Sequence, residues 1–177
     1  MVYGSEEYAT LEAIQDIVRR YITKGTLSEE ECFSAVSRFP ILIFNDQFQK
    51  SERISLVAVT KNPLLLEYVR NQTHEICKRA VTVNGLSLQY VIDKTDDICL
   101  KALRQNGLSL KYIKDPTEEM CITAVTQNPN AINYIKDPSD EVKTKASEML
   151  YKLDIKYLDD LKDQYDALEE YEKYTLK

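Results

Sequence analysis

QTHEICKRAVTVNGLSLQYVID (residues 72–93), KTDDICLKALRQNGLSLKYIKD (94–115) and PTEEMCITAVTQNPNAINYIKD (116–137) are three consecutive copies of one 22-residue sentence. The stretch before them, KSERISLVAVTKNPLLLEYVRN (50–71), fits the same template with Ser55 in the cysteine slot. Upstream, Ser28, Cys32, Ala35, Val36 and Pro40 keep phase before the pattern dissolves; downstream, Ser139, Val142 and Ala146 keep it again. Repeat openings therefore fall at Ser28, Ser51, Thr73, Thr95, Thr117 and Ser139, one interval of 23 residues followed by four of 22. Regular middle copies between degenerate ends are the signature of a stacked array with caps.

Each copy reads as two helices. Ser or Thr opens helix A as an N-cap, and an acid two residues later (Glu30, Glu75, Asp97, Glu119, Glu141) faces the positive end of its dipole. Arg53 is the one departure from that acidic column. Apolar residues at Ile76, Cys77, Ala80 and Val81 share one helical face over about eleven residues. Asn84-Gly85, and likewise Asn62-Pro63, Asn106-Gly107 and Asn128-Pro129, stop helix A and start helix B, since Asn caps well and Pro suits the first helical position. Helix B is expected to run about two turns through Val91. Alternation of Leu86, Leu88, Tyr90 and Ile92 would also suit a strand of a leucine-rich horseshoe, but there the Asn should follow the strand, and here it precedes. The expected fold is all-α: a short two-helix repeat solenoid of about 22 residues per repeat with a capping helix at each end.

The organisation expected is a capping helix in residues 1–27, a repeat array over 28–160, and an acidic amphipathic helix over 155–177. The first helix, over 5–23, carries Tyr8, Leu11, Ile14, Val18 and Tyr21 on one stripe and ends at Gly25. In the last, Leu158, Leu161, Tyr165, Leu168 and Tyr171 form an apolar stripe, and Asp159, Asp163, Asp166 and Glu169 belong to an acidic row on the opposite face. These nine are the candidate partner-binding residues. They read as a cap with a solvated face, as a docking stripe for a partner or a second copy, or as an acid row imitating nucleic-acid phosphates.

The phase of the repeat assigns most reactive-looking residues to structure. Cys32, Cys77, Cys99 and Cys121, all four cysteines, stand four residues after their caps on the inner face of helix A. Structural zinc wants paired ligands converging from a turn, and helices stacked roughly 10 Å apart hold neighbouring thiols too far apart for a disulfide. The alanine column Ala35, Ala58, Ala80, Ala102, Ala124 and Ala146 lets helices approach closely. Tyr68, Tyr90, Tyr112 and Tyr134 are expected as a core ladder with hydroxyls at the surface, exposed rings lining a groove being the alternative. His74, the single histidine, is expected on the surface. No phosphate loop, nucleophile elbow or paired zinc-protease histidines occur. The expectation is a protein without enzymatic activity, metal or cofactor.

Charge and composition narrow the partners. The 177 residues are 44% hydrophobic and 29% charged, with net charge −6. Residues 51–138 carry 11 basic against 10 acidic side chains, residues 1–50 carry 5 against 8, and residues 139–177 carry 7 against 11. Without a basic stripe, nucleic acid is not an expected partner. No apolar run of 18 residues suggests a membrane span, and MVYGSEEYATLEAIQ (1–15) lacks the pattern of a secretory signal, so a cytoplasmic setting is expected.

The segments Ala80-Val81-Thr-Val-Asn84-Gly85-Leu86-Ser-Leu88-Gln-Tyr90-Val91 and Ala102-Leu103-Arg-Gln-Asn106-Gly107-Leu108-Ser-Leu110-Lys-Tyr112-Ile113 resemble an uncharacterised tandem-repeat family, a domain of unknown function with the signature A-V-x-x-N-G-x-x-L-x-Y-V. Such repeats occur in giant viruses, some phages and intracellular bacteria. The likeness covers residues 50–137 well and 28–49 poorly; a looser similarity extends to leucine-rich-variant and HEAT-like α-solenoids. It implies a recognition scaffold, an adaptor or small inhibitor binding a host protein in the cytoplasm, and it carries over no catalytic residue. An acidic inhibitor of a host nuclease or other nucleic-acid-binding protein, and self-assembly through the C-terminal helix, are the alternatives. Pro63 and Pro129 stand where the family has Gly.

Overall fold

Asparagine is the corner of the regular repeats, Phe39 taking that place in the first. In a computed structural model that describes residue 12, residues 14–20, 23, 25 and 27–175, and only the backbone of 158, 161 and 163–175, each corner Asn belongs to two helices at once. The amides of Asn62, Asn84 and Asn128 donate to the carbonyls of Ala58, Ala80 and Ala124 at 2.8–2.9 Å, closing helix A. Their extended backbone, φ −141° to −147°, then turns the chain, and each side-chain oxygen accepts from the amide two residues on. No loop separates the two helices.

The α-helices are α1 (Glu29–Arg38), α2 (Glu52–Lys61), α3 (His74–Val83), α4 (Asp96–Gln105), α5 (Glu118–Gln127) and α6 (Asp140–Thr175). The second element of each repeat is a 3₁₀-helix rather than an α-helix: η1 (Pro40–Phe44) with η2 (Asp46–Phe48), η3 (Pro63–Tyr68), η4 (Gly85–Tyr90), η5 (Gly107–Tyr112) and η6 (Pro129–Tyr134). The fold is all-α, built from solenoid-type two-helix repeats, and no strand occurs among the described residues. Residues 14–20 are helical; Tyr8, Leu11 and Tyr21 of the expected first stripe lie outside the described residues. The last repeat's α6 continues unbroken through the segment read from sequence as a separate helix.

A 3₁₀-helix has three residues per turn, so positions three apart eclipse. Gly85, Leu88 and Val91 accordingly share the buried face, and Tyr90 falls beside it. That is why the tyrosines are not a core ladder: Tyr68 and Tyr134 are 42% and 47% exposed, and Tyr90 and Tyr112 are half-buried. The core is made instead by Ile54, Ile76, Ile98 and Met120, by the alanine column, and by Leu66, Leu88 and Leu110. Burying a side chain of that size contributes about 1.5–3 kcal/mol.

The chain forms two compact units, Met1–Gln105 and Asn106–Lys177. In the first, α1 packs on α2, α2 on α3 and α3 on α4, with η1, η3 and η4 in the same order. In the second, α5 packs on α6 and η5 on η6. Capping hydroxyls link neighbours within a unit. Thr73 accepts from Ile76 N–H and donates to the Glu52 carboxylate of the preceding repeat, and Ser139 does the same with Val142 and Glu118. Arg53, the exception in the acidic column, reaches back to Glu30 at 2.9 Å and lies over the Phe33 ring at 3.6 Å.

Two glutamines of helix A explain the alternation of Gly and Pro at the start of helix B. Gln105 Oε1 accepts from Gly85 N–H, and Gln127 Oε1 from Gly107 N–H. Pro63 and Pro129 have no N–H to satisfy, and the residues in the glutamine position of the following helices are then apolar, Val83 and Met149. At Gly107 the approach is close: a Cβ would stand 2.3 Å from the Ala124 carbonyl oxygen. Gly107→Ala should therefore lower stability by about 3 kcal/mol through a forced backbone shift, read as an earlier urea midpoint.

Ser87 and Ser109 are fully buried and their hydroxyls have no partner. Ala131 fills the same slot in η6. Ser87→Ala and Ser109→Ala should each raise stability by about 1 kcal/mol, because a buried hydroxyl without a partner forfeits its hydration; a later urea midpoint at unchanged slope is the expected reading.

The four cysteines are free and buried, and desolvation pushes each thiol above its ordinary value of 9.0. Above pH 9 the unfolded thiols ionise while the folded ones keep their protons. The unfolded state then binds fewer protons, so stability is intact below that pH and falls as pH rises through the folded pKa values. Between pH 8 and 10 the parent should lose more stability than a Cys99→Ala, Cys121→Ala variant, measured as the difference in urea midpoints.

Candidate partner-binding surface

Helix α6 changes role partway along its 36 residues. Its first turns are held in the second unit by α5 and η6, with Val142 and Ala146 buried and Met149 half-buried. From Leu150 to Tyr157 every residue is exposed. Val142, Ala146, Leu150, Leu153 and Tyr157 are spaced by four, four, three and four, so the exposed part continues the very stripe that is buried earlier. Leu150, Leu153 and Tyr157 are 45%, 52% and 65% exposed. Tyr151 and Ile155, also exposed, occupy the other side of the helix.

Of the nine residues singled out in the sequence, all stand on α6, and Asp159 is exposed. The side chains of Leu158, Leu161, Tyr165, Leu168, Tyr171, Asp163, Asp166 and Glu169 lie outside the described residues. Residues 158–172 hold seven carboxylates against one lysine.

Clefts accompany the helix surfaces in both units. In the first unit, a cleft of about 590 Å³ lies between residues 16–23 and α1, with Arg20 held by Asp16 at 2.7 Å and the Glu31 carboxylate accepting from Ser28 N–H at 2.8 Å. In the second unit, a cleft of about 390 Å³ is lined by Pro116, Cys121, Tyr134, Ile135, Lys136 and Val142 among others. Nothing in the sequence reading singled out this second cleft; the signal was the replacement of a glutamine, described below.

His74 is exposed, with Nε2 at 3.2 Å from Asp97 Oδ2 in the next repeat. Among the described residues no group of three or more His, Cys, Asp or Glu side chains is arranged to hold a metal ion. Among them, too, no helix is long and apolar enough to cross a membrane.

Residues 73–117 and 97–138 each match the model of a domain of unknown function, DUF4116. The two matches overlap in tandem across the most regular copies of the repeat, so this part of the chain is similar to an uncharacterised repeat family. No curated protein and no solved structure matches the chain.

Proposed function

We propose that the chain is a non-enzymatic protein-interaction module, an adaptor or small inhibitor, that holds a protein partner on the projecting part of α6. The reading is carried by one observation: a stripe that is core at Val142 and Ala146 continues, apolar and uncovered, through Leu150, Leu153 and Tyr157. A contiguous exposed apolar surface of this kind is costly to leave in water and marks a docking site. The chemistry of the partner follows from the acids after it. An apolar groove with a basic rim would match the stripe at its centre and residues 158–172 at its edge.

The absence of catalysis belongs to the same proposal. Among the described residues the resolved pKa shifts fall on buried thiols and go upward, away from the thiolate a nucleophile needs. The acidic row also supports a narrower version, in which the occupied groove is one that normally binds nucleic-acid phosphates.

The test replaces Leu150, Leu153 and Tyr157 together by Gln, which keeps helix propensity while removing the apolar stripe. Residues this exposed should change folding stability by less than about 0.5 kcal/mol each. The full immobilised chain should retain its host protein partner, the triple variant should retain at least tenfold less, and a Tyr151→Gln, Ile155→Gln variant on the other face should retain it as the parent does. Equal retention by the triple variant would defeat the proposal. A concentration-dependent dimer in sedimentation, lost in the triple variant, would make the occupant a second copy and defeat the heterologous reading. Loss on reversing Asp159, Asp160 and Asp163 to Lys is the outcome expected of a nucleic-acid mimic.

A further inference from the structure

Two glutamines of the first unit each bridge successive 3₁₀-helices: Gln72, one residue before the cap Thr73, and Gln49, two residues before Ser51, with Lys50 and Lys94 at Gln72's place in the adjacent copies. Gln72 Nε2 donates to the carbonyls of Leu66 at 3.1 Å and Tyr90 at 2.9 Å, and its Oε1 accepts from Ile92 N–H at 3.0 Å. Gln49 makes the same set, to Ile43 at 2.8 Å, Tyr68 at 2.7 Å and Arg70 N–H at 3.0 Å. One primary carboxamide thus fills the space between two repeats and satisfies three backbone groups. Cys77 Sγ closes the arrangement at 3.5 Å from Gln72 Oε1.

In the second unit Gln72's place is taken by Pro116, whose ring has neither donor nor acceptor. The backbone groups corresponding to Gln72's partners are the carbonyls of Leu110 and Tyr134 and the amide of Lys136. The cleft of about 390 Å³ lies here, bounded by Pro116, Tyr134, Ile135 and Lys136. Cys121, the counterpart of Cys77, also lines it. The cap of η6 differs from its clipped counterparts in the same place: φ is −103° at Ile135, against −80° at Val69 and −70° at Val91.

We propose that this cleft binds a primary carboxamide, the side chain of a glutamine presented by a partner protein, through the carbonyl of Tyr134 and the amide of Lys136, both of which line it. The ligand is identified by the group that occupies the same backbone arrangement twice in the first unit. A neutral, bifunctional group suits the site, since the cleft already holds charges of both signs, Lys114 and Lys136 with Asp115, Glu118 and Asp137, and a carboxylate or an ammonium would satisfy only one kind of backbone partner. The inference rests on the reading of the chain as a binding module but uses a surface distinct from the exposed α6 stripe.

The experiment is a titration of the full ¹⁵N-labelled chain with N-acetyl-L-glutamine methylamide, with N-acetyl-L-methionine methylamide as the control of equal length. The Lys136 amide resonance should move and saturate with the first and not with the second. Pro116→Gln should place the missing clip, abolish the response and move the urea midpoint later; Pro116→Ala, which leaves the slot open, should keep the response. No shift at Lys136, equal shifts with both probes, or a response retained in Pro116→Gln would overturn the inference. Because the probe carries no partner surface, a failure here leaves retention of a partner on the α6 stripe as a separate result.

Discussion

The corner asparagine is the constraint from which the repeat follows. Its amide ends helix A on an alanine carbonyl, its extended backbone turns the chain, and its side chain caps helix B. With a single residue between two helices there is no loop to absorb error, so the register of helix B against helix A is fixed by hydrogen bonds. The alanine that accepts the closing bond is fully buried at Ala58, Ala80 and Ala124, and at Ala124 the backbone of Gly107 comes closer than any side chain would permit. A larger residue in that column would push the following repeat away, and a different corner residue would leave helix B uncapped.

Between repeats the connection is made largely by side chain to backbone. Gln49 and Gln72 hold carbonyls and amides of two 3₁₀-helices, Gln105 and Gln127 reach the glycine amide of the preceding repeat, and capping hydroxyls meet preceding carboxylates. Each such bond contributes about 0.5–1.5 kcal/mol net, and its larger effect is on register. Bonds to backbone do not depend on what side chains the neighbour presents. Surface positions are thereby left free to vary, which is what a repeat scaffold used for recognition requires.

The helix-A phase was legible in the sequence because every slot in it has a single physical demand: a capping hydroxyl, a small buried residue, an aliphatic one, a corner Asn. Helix B was legible as a helix but not as a 3₁₀-helix. Six residues are too few for a period of 3.0 to be separated from 3.6 or 2.0, and Leu86, Leu88 and Tyr90 invited the alternating reading. That ambiguity also misplaced the tyrosines, which sit one residue off the Gly85, Leu88, Val91 face. The exposed residues Leu150, Leu153 and Tyr157 precede the stripe that the sequence reading drew from Leu158 onward. The slot at Pro116 was hidden because its content is a missing side chain: Pro before a cap looks like punctuation until Gln72 is seen holding three backbone groups.

In the proposed function the projecting part of α6 ties stability to binding. Residues 150–175 continue at 1.5 Å per residue for about 39 Å beyond Met149. From Leu150 to Tyr157 no residue is buried. A helix in water without tertiary packing is marginal even with good formers, and the seven carboxylates of residues 158–172 repel one another along it. Two terms oppose that: nucleation is already supplied by the packed turns from Asp140 to Met149, and a partner with a basic rim would both cover the stripe and neutralise the repulsion. The free energy of covering Leu150, Leu153 and Tyr157 therefore enters binding and helix stability together. Affinity should follow helicity of this segment as closely as it follows the identity of the apolar residues themselves, because a stripe exists as a surface only while the backbone beneath it is helical.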